Sequence, residues 1–200
     1  MKYFILIFFI LLTFSSVGQT GIYRTYEDYK NGNIESYSDD YSNRTYSSFG
    51  SKMVFKKENG KKVHFKMKEF WGFLYKGVLF RSITDGYGID NIVAVADSGK
   101  FIFYVNGDAT RSQLKNNSEY GSYNVDNAGV LGGVECYLSE NLNSKIYFMP
   151  WNSYSTGMFK NQVKRYKDFQ HTYPQYQALY DCIGDTYSSL EARKCIKKFN

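Results

Sequence analysis

Between residues 52 and 68 apolar and polar side chains alternate in two short runs around a turn. Met53 and Phe55 alternate with Lys52, Val54 and Lys56. Val63, Phe65 and Met67 alternate with Lys62, His64, Lys66 and Lys68. A period of two is the signature of a half-buried strand. The turn reads Glu58-Asn59-Gly60-Lys61. A two-residue Asn-Gly loop would set Phe55 opposite His64 and mix the two faces. A three-residue loop, Glu58-Asn59-Gly60, sets Phe55 opposite Val63 and Met53 opposite Phe65. It also puts Gly60 at the left-handed position of a bulged turn. The pattern therefore predicts a hairpin with a three-residue loop.

Further strand pairs follow. Residues 71–83 turn at Lys76-Gly77, and Asp85-Gly86-Tyr87-Gly88 ends the run. Residues 92–96 and 101–105 are split by Asp97-Ser98-Gly99-Lys100, and residues 130–138 and 145–149 form another pair. Residues 106–129 are a polar, Gly- and Asn-rich excursion. Residues 36–51 are rich in Ser, Tyr, Asn and Asp and read as a loop or irregular edge segment. Before them, Thr25-Tyr26-Glu27-Asp28 has the form of a capping box. It opens a helix from residue 26 to about residue 30, stopped at Asn31-Gly32.

Near Thr156 the spacing becomes helical. Phe159, Val163, Tyr166 and Phe169 make one stripe, with Lys160, Lys164 and Lys167 off it. Pro174 opens a second helix with Tyr176, Leu179, Tyr180 and Ile183 inward, stopped at Gly184. Ser188 with Glu191 opens a third, with Ala192, Cys195, Ile196 and Phe199 inward. These faces are tyrosine-rich, so they read as core and not as membrane-surface faces. The fold class expected is α+β: mainly an antiparallel β-sheet or partly closed barrel, followed by a C-terminal helical segment.

The N-terminus has a different pattern. Lys2 precedes an apolar run, residues 3–14, interrupted by one threonine; Ser15-Ser16-Val17-Gly18 follows. That order is a secretory signal peptide with cleavage after Gly18. The run is 12 residues, whereas a spanning helix needs about 20. The organisation expected is residues 1–18 as signal peptide and 19–155 as a mainly antiparallel β domain. Residues 156–200 are helices packed on that same domain. The protein is expected to be secreted or periplasmic, with no transmembrane segment after cleavage.

Composition adds two points. There are 20 Tyr and 16 Phe but only 2 Trp. Tyr, Phe, Lys, Asn and Ile are enriched together, as in an A- and T-rich bacterial genome, so the aromatics do not by themselves announce a ligand. The chain carries 25 basic and 19 acidic residues, a net charge of +6. The lysines are spread along the sequence. The charge mildly favours anionic envelope polymers or lipids, the scattering counts against them, and nucleic acid is not expected as a partner.

Cys182 and Cys195 lie on consecutive helices joined by a short turn. A disulfide there would pin a helical hairpin. Cys136, in an apolar run, reads as a buried free thiol, and its pairing with a tail cysteine stays open.

Catalytic signals are sparse. Of the two histidines, His64 falls on the outer face of the first hairpin and His171 between two helices. Neither belongs to a zinc spacing. No nucleophile elbow, phosphate loop or dinucleotide fingerprint occurs, and no cofactor is expected. Asp85 and Asp90 flank Gly86-Tyr87-Gly88, with Asp97 and Asp108 nearby. Paired carboxylates run glycoside hydrolysis, but aspartate beside glycine is also ordinary turn chemistry. Trp71 and Trp151 are the candidate ligand-stacking residues, since a tryptophan at a strand end either stacks a sugar ring or caps the core.

The function expected is an exported, non-enzymatic module that binds a ligand or partner protein of the cell envelope or exterior. A carboxylate-based glycan hydrolase and a structural cell-surface component are the alternatives.

Overall fold

The computed structural model describes residues 20–47, 50–84, 90–108, 136–149, 157–184 and 189–200. Residues 1–18, expected to be a signal peptide, together with Asp85, Trp151, Ser188 and most of the polar excursion, lie outside them. Among the described residues ten strands make an antiparallel sheet that is not closed, with helices after it. The α+β class holds, in its open-sheet form. The chain divides into two compact units, residues 1–82 and 83–200.

In the first unit the strand order is β6-β5-β1-β2-β3-β4. These strands are β1 (Thr20–Tyr23), β2 (Glu35–Ser47), β3 (Gly50–Lys56), β4 (Lys62–Lys66), β5 (Gly72–Tyr75) and β6 (Val78–Thr84), the last crossing the boundary between units. Between β1 and β2 lies α1 (Tyr26–Asn31). Its capping box is complete. The Asp28 N–H donates to Thr25 Oγ1 at 3.1 Å, and the Thr25 N–H donates to the Asp28 carboxylate at 2.9 Å. Each bond satisfies a backbone donor that the helix start leaves unpaired.

The β3–β4 hairpin has the three-residue loop. Phe55 pairs with Val63 and Met53 with Phe65. Gly60 sits at φ +79°, and its N–H donates to the Lys57 carbonyl at 2.8 Å. Only the bulged turn lets Met53, Phe55 and Phe65 share one buried face. The β5–β6 turn at Lys76-Gly77 has both residues at positive φ, 47° and 76°. That is the hand that suits the twist of a two-residue hairpin.

One expectation fails. The segment read as a loop or irregular edge is mostly strand: β2 pairs with β1 on one side and β3 on the other. Its irregularity is confined to a register shift between Ser38 and Ser42. A ladder with β1 holds residues 35–37 and a ladder with β3 holds Ser38 and residues 42–47, without needing apolar side chains. Tyr and Thr suit a pleated surface, and the extra residues are taken up in a bulge. Polarity was the wrong guide to this strand.

The core of this unit is aromatic. Phe73 stacks on Phe80 with centroids 4.7 Å apart, and Phe55 meets Phe73 at 5.6 Å. Tyr37 closes on Phe55 at 5.2 Å. Offset and edge contacts of this kind add about 0.5–1.5 kcal/mol each beyond burial.

In the second unit the order is β10-β9-β8-β7, made of β7 (Asp90–Asp97), β8 (Ile102–Asn106), β9 (Cys136–Ser139) and β10 (Tyr147–Met149). Then come α2 (Gly157–Thr172), a 3-10 turn (Pro174–Tyr176), α3 (Gln177–Ile183) and α4 (Ser189–Phe199). The helical stripes face inward as the spacing predicts: Phe169, Leu179, Ile183 and Ile196 are buried. Tyr176 and Phe199 are only half-buried. Cys182 and Cys195 form the disulfide, linking α3 to α4. Cys136 is a buried free thiol on β9.

Candidate functional site: a half-exposed aromatic patch

Trp71 is held by its backbone before its side chain is considered. Its N–H is shared between the carbonyls of Tyr23 and Arg24, at 3.0 and 3.1 Å. Its own carbonyl accepts from the Ser82 N–H at 3.0 Å and from Arg81 Nε at 3.3 Å. The residue is thereby clamped between the end of β1 and the middle of β6, just ahead of β5.

Onto the indole comes α1. A helix of six residues is too short to be stable alone, so its packing decides whether it forms. Tyr26 and Tyr29 are three apart and share one helical face. Their rings lie 5.4 and 5.0 Å from the Trp71 ring, at interplanar angles of 46° and 30°, and 6.2 Å from each other. Tyr23 meets Tyr29 edge-on at 5.3 Å. The Arg81 guanidinium carbon lies 4.0 Å from the indole centroid. A cation over the indole face strengthens the cluster by roughly 0.5–2 kcal/mol, more as it is desolvated.

Tyr26, Tyr29 and Trp71 are each half-buried. The patch is neither a closed core nor a bare platform: the rings brace one another while parts of all three meet solvent. At its base the Trp71 Nε1–H is buried and finds no acceptor among the described residues.

A charged cluster lies elsewhere in the same unit. Arg24 donates to one Glu35 oxygen from Nε and Nη2, at 3.0 and 2.7 Å. The Tyr37 hydroxyl donates to the other oxygen. The Arg24 guanidinium also lies 4.5 Å from the Phe65 centroid. Burial pushes the Glu35 carboxyl up, but the Tyr37 hydroxyl and the Arg24 charge outweigh it, and the net shift is downward. Burial, and then the bond to Glu35, push the Tyr37 phenol far up. A carboxyl held down and a phenol held neutral make an anchored surface pair, the opposite of a poised general acid and base.

Of the other sequence candidates, Asp90 begins β7 and accepts from the Thr84 hydroxyl at 3.0 Å. Its proposed companion Asp85, and Trp151, lie outside the described residues. Trp71 belongs to the first unit and Asp90 to the second. Asp97 is engaged by Arg193 at 2.5 Å and by Lys197 at 3.7 Å. His64 and His171 are both exposed. Among the described residues no three His, Cys, Asp or Glu side chains gather as a metal site, and no helix is long and apolar enough to cross a membrane.

Sequence reasoning found Trp71 but missed Tyr26, Tyr29 and Arg81. A signal for the tyrosines exists: Tyr-x-x-Tyr just inside a capped helix gives that helix one aromatic face. Nothing local to Arg81 announces its place against the indole.

No family model, curated protein or solved structure matches this chain.

Proposed function

We propose that the protein is an exported, non-catalytic binding module of the cell envelope or exterior, engaging a glycan through the Tyr26–Tyr29–Trp71 patch. Export rests on the signal-peptide pattern of residues 1–18. The observation that carries the binding reading is a half-exposed indole packed against two half-exposed tyrosine rings and braced by one guanidinium. Aromatic faces with fixed orientation receive the apolar face of a sugar ring at low entropic cost, because little has to be ordered on binding. The glycan-hydrolase alternative draws no support from Glu35, whose carboxyl is shifted in the direction opposite to that of an acid catalyst.

The test is a fluorescence titration of the purified protein carrying Trp151→Phe, so that Trp71 alone reports. Soluble oligosaccharides from peptidoglycan, chitin and cellulose are the probes. A saturable emission change with at least one probe is expected. Tyr26→Ala combined with Tyr29→Ala should weaken it by about tenfold or more while circular dichroism keeps the sheet signal. No emission change with any probe, or a double variant that binds like the parent, removes the reading.

A further inference from the structure

The net charge of the chain falls on one hairpin and the 3-10 turn (Met67–Glu69) that follows it. Of 25 basic and 19 acidic residues, seven lysines and one acid, Glu58, fall within residues 52–68, leaving 18 of each sign elsewhere. The register then stacks these lysines in rungs. Lys52 stands directly opposite Lys66, and Lys56 opposite Lys62. The Lys57 N–H donates to the Lys61 carbonyl at 2.9 Å, closing a third Lys–Lys rung at the turn. Between the first two rungs, Val54 faces His64. Alternation puts 52, 54 and 56 on one face with 62, 64 and 66, while Met53, Phe55 and Phe65 are buried on the other.

Like charges placed directly opposite one another destabilise a strand pair, and an uncharged polar residue would satisfy the alternation at positions 52, 56, 62 and 66, on either side of the buried Val54. Protection of an edge strand does not account for them either. β4 ends the strand order, so charges there would discourage edge-to-edge pairing. But Lys52 and Lys56 are on β3, which is paired on both sides.

We propose that this lysine ladder is a binding surface for a linear polyanion, an acidic polysaccharide bearing carboxylate or phosphate groups at regular intervals. Rungs at positions 52 and 56 are four residues apart, about 13 Å along the strand, a spacing that suits charges repeated along an extended chain. Lys57, Lys61, Lys62 and Lys66 are exposed. The tip, Glu58-Asn59-Gly60, carries no apolar side chain to enter a bilayer. The hairpin's two rings, Phe55 and Phe65, are buried and offer bases nothing to stack on. The surface stands on the lysine register alone and is independent of the aromatic patch.

The test uses the full mature protein with four probes at two salt concentrations: oligogalacturonate, poly(glycerol phosphate), vesicles of phosphatidylglycerol, and oligo-deoxythymidine. Binding to one or both of the first two is expected, with carboxylate and phosphate sources separated by which one binds, and affinity should fall steeply with salt. Lys52→Gln/Lys66→Gln should weaken binding by about tenfold or more, with the melting temperature unchanged or higher, because a repulsive rung is removed. Lys57→Gln/Lys61→Gln, at the exposed turn, should act the same way, whereas Trp71→Ala should leave polyanion binding as it was. Several results each overturn the proposal: variants that bind like the parent, a lower melting temperature in both variants, binding to vesicles or to DNA only, or no binding to any probe. Loss of neutral-oligosaccharide binding with retained polyanion binding would overturn the aromatic reading and leave this one standing.

Discussion

In the first unit several of the polar contacts that shape the chain are local, although the Trp71 N–H reaches back to the Tyr23 and Arg24 carbonyls. Thr25 bonds Asp28, Lys57 bonds Lys61, and Lys66 bonds Glu69. In the second unit they reach across it. Arg193 meets Asp97, and the Asn200 side chain accepts from the Phe101 N–H at 2.8 Å and donates to the Phe101 carbonyl at 3.2 Å. Tyr104 meets the Ser139 hydroxyl at 2.8 Å across 35 residues. The loops these contacts close are long, and closing them costs entropy that local turns do not. The disulfide sits in the unit that bears this cost. It ties α4 to α3, and α4 with the residue after it supplies both Arg193 and Asn200. The caps and turns of the first unit close short loops; the long closures of the second are backed by a covalent link.

The sharpest way to break this contrast is to remove the link. Replacing Cys182 and Cys195 by Ala should cost about 3 kcal/mol by the loop-closure argument. Hydrogen exchange should then rise along α3 and α4 while the β2–β3 amides stay protected. Unchanged protection in α4 would show that packing alone holds it.

A smaller effect is expected in the first unit. Gly60→Ala should cost about 1–2 kcal/mol by urea denaturation, since an L-residue is disfavoured at φ +79°. The added Cβ meets nothing closer than Lys56 Cε at 3.9 Å, so the loss would be conformational and not steric. A neutral result would mean that the turn does not set the register.

The smallest effect concerns Glu35. Its folded pKa lies below its ordinary value, so it binds protons less readily folded than unfolded. Its contribution is present above the ordinary carboxyl value and is lost as pH falls through the lowered folded value. The side chain is 43% exposed, so solvent screens most of it. Glu35→Gln should flatten the acid limb of the stability curve slightly, and an unchanged limb would assign acid sensitivity to other groups.

The same contrast explains what was legible beforehand. The three-residue loop, the α1 capping box, the Lys76-Gly77 turn and the inward helical stripes are set by neighbours within a few residues, where period and turn chemistry speak directly. The disulfide was legible because two cysteines flank one short turn. β2 was not, because its place depends on two partner strands and not on its own polarity. The candidate site was half legible: Trp71 stood out by type, whereas Tyr26, Tyr29 and Arg81 join it only through the β1–β5 and β5–β6 pairings. The basic hairpin could have been found by summing charge over a window; composition taken over the whole chain spreads the same lysines thin.

The sequence by itself determined the turns, the caps, the inward faces and the cysteine pair, because each depends on side-chain size, φ preference or spacing within one or two turns of chain. Only the tertiary structure decided that a polar segment is a strand, paired with β1 at its start and with β3 beyond, that three rings from two distant segments share one patch, and that lysines from two strands stand opposite one another. Those outcomes rest on which backbones pair and in what register, and that choice is made by hydrogen bonding and burial between segments far apart in the chain.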